Sequence, residues 1–210
     1  MGHGSSAHVT EILARSRALG FLGPTTLDLQ IEHARGFAGA LAAQGVDSPA
    51  SVIDLGSGGG LPGLVLSEIW PEARIILMDG SVRRCEFLSE VIEEFGLSEH
   101  VSVLAGRAED LGHREDLRGA IDVVVARSFG PPAVTAECGA PFLVEGGALV
   151  VSEPPEGRAE RWPAEGVATL GLGPATSVVE GSHFVVLRQA ALCPERYPRR
   201  VGVPAKRPLF

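Results

Sequence analysis

The chain has 210 residues, enough for one domain with a sizeable core. Hydrophobic residues make up 45% and charged residues 21%, the balance of a soluble globular protein, and no apolar run approaches the ~20 residues of a membrane-spanning helix. A net charge of -8 argues against broad nonspecific nucleic-acid binding, and three distant cysteines (Cys85, Cys138 and Cys193) point to a reducing cytoplasm without a disulfide frame.

Two helices are expected first, near His8 to Leu19 and near Thr26 to Gln44. The second carries Leu27, Ile31, Ala34, Ala38 and Leu41 at helical spacing. A strand at Val52 to Leu55 then runs into the densest signal of the chain, Ser51-Val-Ile-Asp-Leu-Gly-Ser-Gly-Gly-Gly-Leu-Pro-Gly63. Glycine reaches backbone angles closed to other residues and, lacking Cβ, lets a ligand touch the backbone. Pro62 suits the first turn of the following helix, Leu61 to Ile69, where its missing N–H has no partner to lose. The layout is that of a nucleotide-type cofactor loop at the first β-to-α turn of an α/β sheet. Two cofactors fit it. Gly58, Gly60 and Gly63 match the dinucleotide pattern G-x-G-x-x-G of an NAD-dependent oxidoreductase, whereas Asp54 leading Gly56, Gly58 and Gly60 resembles the S-adenosylmethionine (SAM) loop, motif I, of class I methyltransferases.

Further strands are expected at Arg74 to Met78, His100 to Leu104, Ile121 to Ala126 and Ala148 to Val151. They alternate with helices at Val82 to Phe95, which is amphipathic, and at Ala133 to Leu143. Asp79 closes the second strand 16 residues beyond Gly63, near the ~20 expected of an acidic ribose ligand. Both NAD and SAM carry such a ribose, so Asp79 supports nucleoside binding without choosing between them. Glu153 to Gly166 reads as a loop, and Val167 to Leu170 with His183 to Leu187 as a closing strand pair. The alternation implies a mostly parallel sheet with helices on both faces, within one domain. No Cys or His pair has metal-ligand spacing, so no metal is expected.

The last residues reverse the charge of the body. Arg196, Arg199, Arg200, Lys206 and Arg207 alternate with Pro194, Pro198, Pro204 and Pro208. Such a tail is either a solvated surface or a basic arm that touches phosphates through residues such as Arg199 and Arg200.

Four segments and this tail, taken in order, carry a family resemblance. They are Asp54-Leu-Gly-Ser-Gly-Gly-Gly-Leu-Pro-Gly63, Met78-Asp-Gly-Ser-Val-Arg-Arg-Cys-Glu-Phe-Leu88, Gly106-Arg-Ala-Glu109, Val125-Ala-Arg-Ser128 and the Tyr-Pro-Arg tail from Arg196. Together they resemble the 16S rRNA guanine-N7 methyltransferase family, also called glucose-inhibited division protein B. The resemblance implies a class I methyltransferase (Rossmann-like) fold: α/β, a mostly parallel seven-stranded sheet, and extra helices at the N-terminus. It divides the chain into helices over 1–48, a SAM-binding core over 49–190 and a basic tail over 191–210. By position it gives Asp54, Gly56, Gly58 and Leu61 to the SAM loop, Asp79 to the ribose, Ala108 and Glu109 to the adenine, and Arg127 to the cofactor pocket or the substrate. The implied partner is rRNA or the small ribosomal subunit of a bacterial cell. No catalytic base is expected, because a guanine N7 has a free lone pair.

The chain departs from that family at two places. The family's lysine after the fifth strand is replaced by the Glu153 of Ser152-Glu-Pro-Pro155, and the Asn-Leu-Thr element between the N-terminal helices is missing, with only Ile31-Glu-His33 reminiscent of the family's next residues. These departures keep open a methyltransferase acting on a small-molecule acceptor with the same scaffold.

Overall fold

A computed structural model describes residues 5–155 and 159–210. Residues 156–158, inside the expected loop after the fifth strand, and residues 1–4 lie outside it. The chain opens with α1 (Ser5–Ala18) and α2 (Leu27–Ala42). It then alternates through β1 (Ser51–Leu55), α3 (Gly63–Ile69), β2 (Arg74–Asp79), α4 (Val82–Glu94), β3 (Val101–Ala105), α5 (Ala108–Leu111), β4 (Ile121–Ala126), α6 (Pro132–Gly139) and β5 (Leu143–Glu153). After α7 (Ala164–Ala168) come β6 (Thr176–Glu180), β7 (Ser182–Arg188) and the short α8 (Val203–Lys206). Among the described residues no helix is long and apolar enough to cross a membrane.

The seven strands form one sheet in the order β3-β2-β1-β4-β5-β7-β6. β1 to β5 pair in parallel, and β7 runs antiparallel to both β5 and β6. Strand parity divides the core. Val52, Ile75, Leu77, Val123, Val125, Val150 and Val186 face α1 to α4, while Ile53, Ile76, Met78, Val124, Leu149, Val151 and Leu187 face α6, α7 and the C-terminal segment. A sheet covered on both faces favours apolar residues at successive strand positions, hence Val52-Ile53 in β1 and Val123 to Ala126 in β4, interrupted only by Asp54 and Asp122. The strand order reverses at β1/β4, so their carboxyl ends open a crevice there.

Three expectations change. Val167 to Leu170 is not a strand: residues up to Ala168 belong to α7, and the edge strand is Thr176–Glu180. Val167 and Leu170 are apolar because they bury against the sheet face that holds α6, which a helical turn achieves as well as a strand. The fifth strand starts at Leu143, so the expected helix ends earlier, in α6 and a 3-10 turn over Ala140–Phe142. Pro62 precedes α3 rather than opening it, and the Leu61–Pro62 bond is cis.

The basic tail is not a free arm: its backbone and Arg199 are tied to the body, while Arg196, Arg200, Lys206 and Arg207 stay exposed. Arg118 donates to four carbonyls at once, those of Gly112 (2.8 Å), Tyr197 (2.8 Å), Cys193 (2.9 Å) and Pro194 (2.9 Å). Arg199 meets the fully buried Glu137 of α6 through both nitrogens of its fork, at 2.8 and 2.6 Å, and donates to the Arg207 carbonyl. His113 bonds the Pro198 carbonyl at 2.8 Å. A charged donor satisfying several carbonyls fixes a segment that has no regular structure of its own. Arg118→Ala should therefore lower unfolding free energy by about 2 kcal/mol or more and expose the 193–200 segment to limited proteolysis, with urea titration and peptide mapping as the readouts.

Candidate functional site

The crevice at the ends of β1, β4 and β5 holds an open cavity of about 880 Å³. Its floor is the loop joining β1 to α3. Asp54, at 0% exposure, builds that loop: its Oδ2 accepts the Ser57 hydroxyl at 2.7 Å and the Gly63 N–H at 2.8 Å. Asp54 Oδ1 is buried with no hydrogen-bond partner. The amides of Gly56 and Ser57 both donate to the Met78 carbonyl of β2, locking the turn to the neighbouring strand. Gly56 (φ 74°) and Gly58 (φ 59°) lie in the left-handed region, where a side chain is strained. A Cβ on Gly56 would sit 2.6 Å from the Phe129 ring, whereas one on Gly58 would point into open space with only the Gly56 carbonyl oxygen within 4 Å, at 3.8 Å. Gly58 is thus the bare face of the loop.

Asp79 ties the loop to β2. Its Oδ2 accepts the Gly58 N–H at 2.8 Å, its Oδ1 accepts the Ser81 N–H at 2.8 Å, and Arg84 stands 3.7 Å away. Each carboxylate oxygen keeps a further lone pair for a hydroxyl donor. Asp79 shares a smaller cleft with Gly56, Ala108, Glu109 and Phe129. Glu109 is 5% exposed and accepts the Gly202 N–H at 3.0 Å, so the C-terminal segment forms part of the wall beside that cleft.

The expected residues therefore fall into two adjoining spaces. Gly56, Gly58, Leu61 and Arg127 line the large cavity, with Asp54 buried beneath it; Asp79, Ala108 and Glu109 group around the smaller cleft, and Gly56 touches both. Arg199 and Arg200 line neither. Arg199 is spent on Glu137, and Arg200 is exposed beside it.

Several lining residues are not expected at the site from the sequence, although His33 closes the family-like Ile31-Glu-His33. Gln30 and His33 reach the cavity from α2, Phe129 enters from the loop after β4, and Arg161 from the 3-10 turn Ala159–Arg161. The Arg127 guanidinium is held below its ordinary value by burial, with the Asp54 charge pulling the other way, and its hydrogen-bond partner is the Gln30 Oε1 at 3.4 Å. His33 is lowered by burial and by the Arg127 charge, both of which favour its neutral form; its ring packs against Phe37 and Phe184, with centroids 5.8 and 5.6 Å away. Only Arg127 announced itself, by ending an apolar strand. The expected negative group, Glu153, is also here, and it is ion-paired with Arg161. The three cysteines are buried and unpaired, and burial raises each thiol, that of Cys193 to about 11.

Burial pushes the Asp54 carboxyl up to about 6, against the opposing hydrogen bonds from Ser57 and Gly63 and the Arg127 charge. The folded chain holds that proton more tightly than the unfolded chain. This contribution to stability is fully present below about pH 4 and is lost as pH rises through about 6. An amide cannot ionise, so the stability of Asp54→Asn relative to the parent should rise by up to about 3 kcal/mol from pH 4 to pH 7, read from urea titrations across that range.

Comparison with known proteins fits this geometry. The family model described as GidB, rRNA small subunit methyltransferase G, matches residues 37–158. A ribosomal RNA small subunit methyltransferase G of Lactococcus lactis subsp. lactis is 35% identical over 170 residues, 78% of this chain and 71% of that protein. Its namesake in Rubrobacter xylanophilus is 34% identical over 206 residues, covering 93% and 78%. The one in Deinococcus radiodurans is 34% identical over 194 residues, covering 89% and 76%. Among solved structures, an O-methyltransferase from Bacillus cereus in complex with SAH superposes with a TM-score of 0.63 at 14% identity, over 87% of this chain and 90% of that one. The SAH-bound methyltransferase PaMTH1 of Podospora anserina gives 0.59 at 13% identity, over 86% and 87%. These likenesses show the Rossmann-like fold of class I methyltransferases, and the sequence matches go further: the chain belongs to the GidB family, the rRNA small subunit methyltransferases G.

Proposed function

We propose that this protein is a SAM-dependent methyltransferase that places a methyl group on N7 of a guanine in 16S rRNA. The observation that carries the proposal is the loop after β1, fixed by Asp54 below and Asp79 beside, whose bare Gly58 face opens onto the cavity that Arg127 enters. The residues fit the cofactor. Gly58 leaves the room a side chain would fill, and Asp54 Oδ1 is a buried acceptor lacking a donor.

In this reading Asp79 uses its remaining lone pairs for the two ribose hydroxyls, and Ala108 and Glu109 flank the adenine. Gly56, Gly58 and Leu61 form the wall beneath the ribose and the amino-acid end. Arg127 offers a largely desolvated cation on the opposite side, where charge interactions are least screened. SAM, when bound, supplies a methyl group on a sulfonium whose departure is already activated. The protein's share is alignment of acceptor and methyl, and exclusion of water. N7 of guanine is a hydrogen-bond acceptor with a free lone pair, so no residue has to remove a proton before attack.

Two measurements test the proposal. Labelled methyl from SAM should appear on one guanine N7 when the protein meets 30S subunits or free 16S rRNA from a strain lacking the modification. Label on a small-molecule acceptor and none on RNA would redirect the assignment to small-molecule chemistry. Asp79→Ala should weaken S-adenosylhomocysteine about tenfold or more by calorimetry, through the loss of charge-assisted ribose contacts worth ~1.5–3 kcal/mol; an unaltered affinity would remove the ribose role.

A further inference from the structure

The far end of the large cavity carries a charge pair that the cofactor contacts leave unused. Glu153 closes β5 and lines the cavity, and its side chain is only 4% exposed. Its Oε2 pairs with Arg161, and its Oε1 accepts the indole N–H of Trp162 at 3.2 Å. Trp162 is itself 2% exposed, so the carboxylate is pinned from behind by a residue that cannot move without opening the core. Two of roughly four lone-pair positions on the carboxylate are occupied, which leaves two for a ligand. Arg161 also lines the cavity and keeps guanidinium donors beyond the one given to Glu153.

Distance along the sheet sets what fits between this pair and the glycine loop. β5 lies two strands from β1, so the Glu153 end stands roughly 10 Å from the loop at strand spacing. That span accommodates a purine lying across the crevice with one edge at the transferred methyl and the other at β5. Phe129, half-buried between the large cavity and the smaller cleft, offers a ring on which such a base can stack.

The edge opposite N7 differs between the purines. Guanine presents an acceptor at O6 followed by donors at N1 and N2. Adenine presents a donor at N6, an acceptor at N1 and a bare C–H. A carboxylate next to an arginine complements the first sequence and opposes the second, because the adenine N1 lone pair would face a buried negative charge. Enzymes that act on an extruded base read it by hydrogen bonds to this Watson–Crick edge and by stacking.

We propose that Glu153 and Arg161 form the base-reading wall of the acceptor pocket: Glu153 accepts the N1–H and N2–H of a guanine, and Arg161 donates to its O6. The assignment rests on the methyltransferase reading, and it makes Glu153 a specificity residue of this chain rather than an obstacle to RNA.

The test uses the whole protein saturated with S-adenosylhomocysteine and three nonaribonucleotides that differ only in the central base among uridines: guanine, hypoxanthine or adenine. Hypoxanthine keeps O6 and N1–H and lacks the N2 amine. The parent protein should bind the guanine oligomer about tenfold more tightly than the hypoxanthine one, and the adenine oligomer most weakly. In Glu153→Ala the guanine-to-hypoxanthine ratio should fall to near one. In Arg161→Ala both oligomers should weaken together and the ratio should survive, because both bases carry O6. A merely structural role would move all three oligomers and S-adenosylhomocysteine alike. Equal binding of guanine and hypoxanthine by the parent, a ratio that persists in Glu153→Ala, or no oligomer binding at all would overturn the proposal. The rRNA methylation assay is read separately: methyl transfer without base discrimination sinks this inference alone, and discrimination without methylation of rRNA sinks the rRNA reading alone.

Discussion

Oδ2 of Asp54 accepts both the Ser57 hydroxyl and the Gly63 amide, so one buried atom fixes where the glycine turn begins and where α3 starts. Asp79 then takes the Gly58 amide and joins that turn to the end of β2. The placement of the candidate cofactor wall depends on these two carboxylates, and both hold their places because β1 and β2 are in register, Asp54 beside Leu77 and Leu55 beside Met78. Burying Asp54 works against stability above about pH 6, and its Oδ1 is left without a donor. Buried groups with shifted titration beside a cleft mark functional sites more often than chance, although Asp54 also has the structural task of holding the turn.

This core of the site was legible in the sequence because it is local. Strand, loop, helix and second strand come one after another without interruption, and each carries a pattern that depends on near neighbours: an apolar run, a glycine turn, an acid at the strand end. The same holds for α4, whose Cys85, Leu88, Val91 and Ile92 fall on one buried face. The errors occur where local pattern and tertiary role part. β6 is largely solvent-exposed, so it lacks the apolar alternation that announces a strand, while the buried stretch around Val167 has the apolar residues and forms a helix. In β5 a glycine pair at Gly146-Gly147 reads as a turn, yet the strand passes through it with a shift of register against β4.

The remaining lining residues were not legible for a different reason. Gln30 and His33 share a face of α2 by their i, i+3 spacing, but nothing local says that this face meets Phe129 and Arg161, which come from distant stretches of the chain. The tail shows the same limit in reverse. Its charges suggested contact with something outside the molecule, but Arg199 is matched to Glu137, a carboxylate 62 residues earlier that looked like an ordinary helix position. Arg118 looked equally ordinary and gathers four carbonyls. Composition records that a tail is basic; it does not record which buried acid it was matched to.

The cysteines carry a consequence of another kind. Each thiol is buried and raised, so alkylation of the native chain must wait for local opening rather than for ionisation in place. Cys85 donates to the Asp79 carbonyl at 3.3 Å at the end of β2, Cys138 lies in α6 next to Glu137, and the Cys193 carbonyl accepts from Arg118. The three therefore divide the molecule into separately timed regions. Their relative rates of reaction with iodoacetamide would rank the end of β2, the helix that anchors the tail, and the tail itself by the free energy of opening each one, with no residue substituted in the chain.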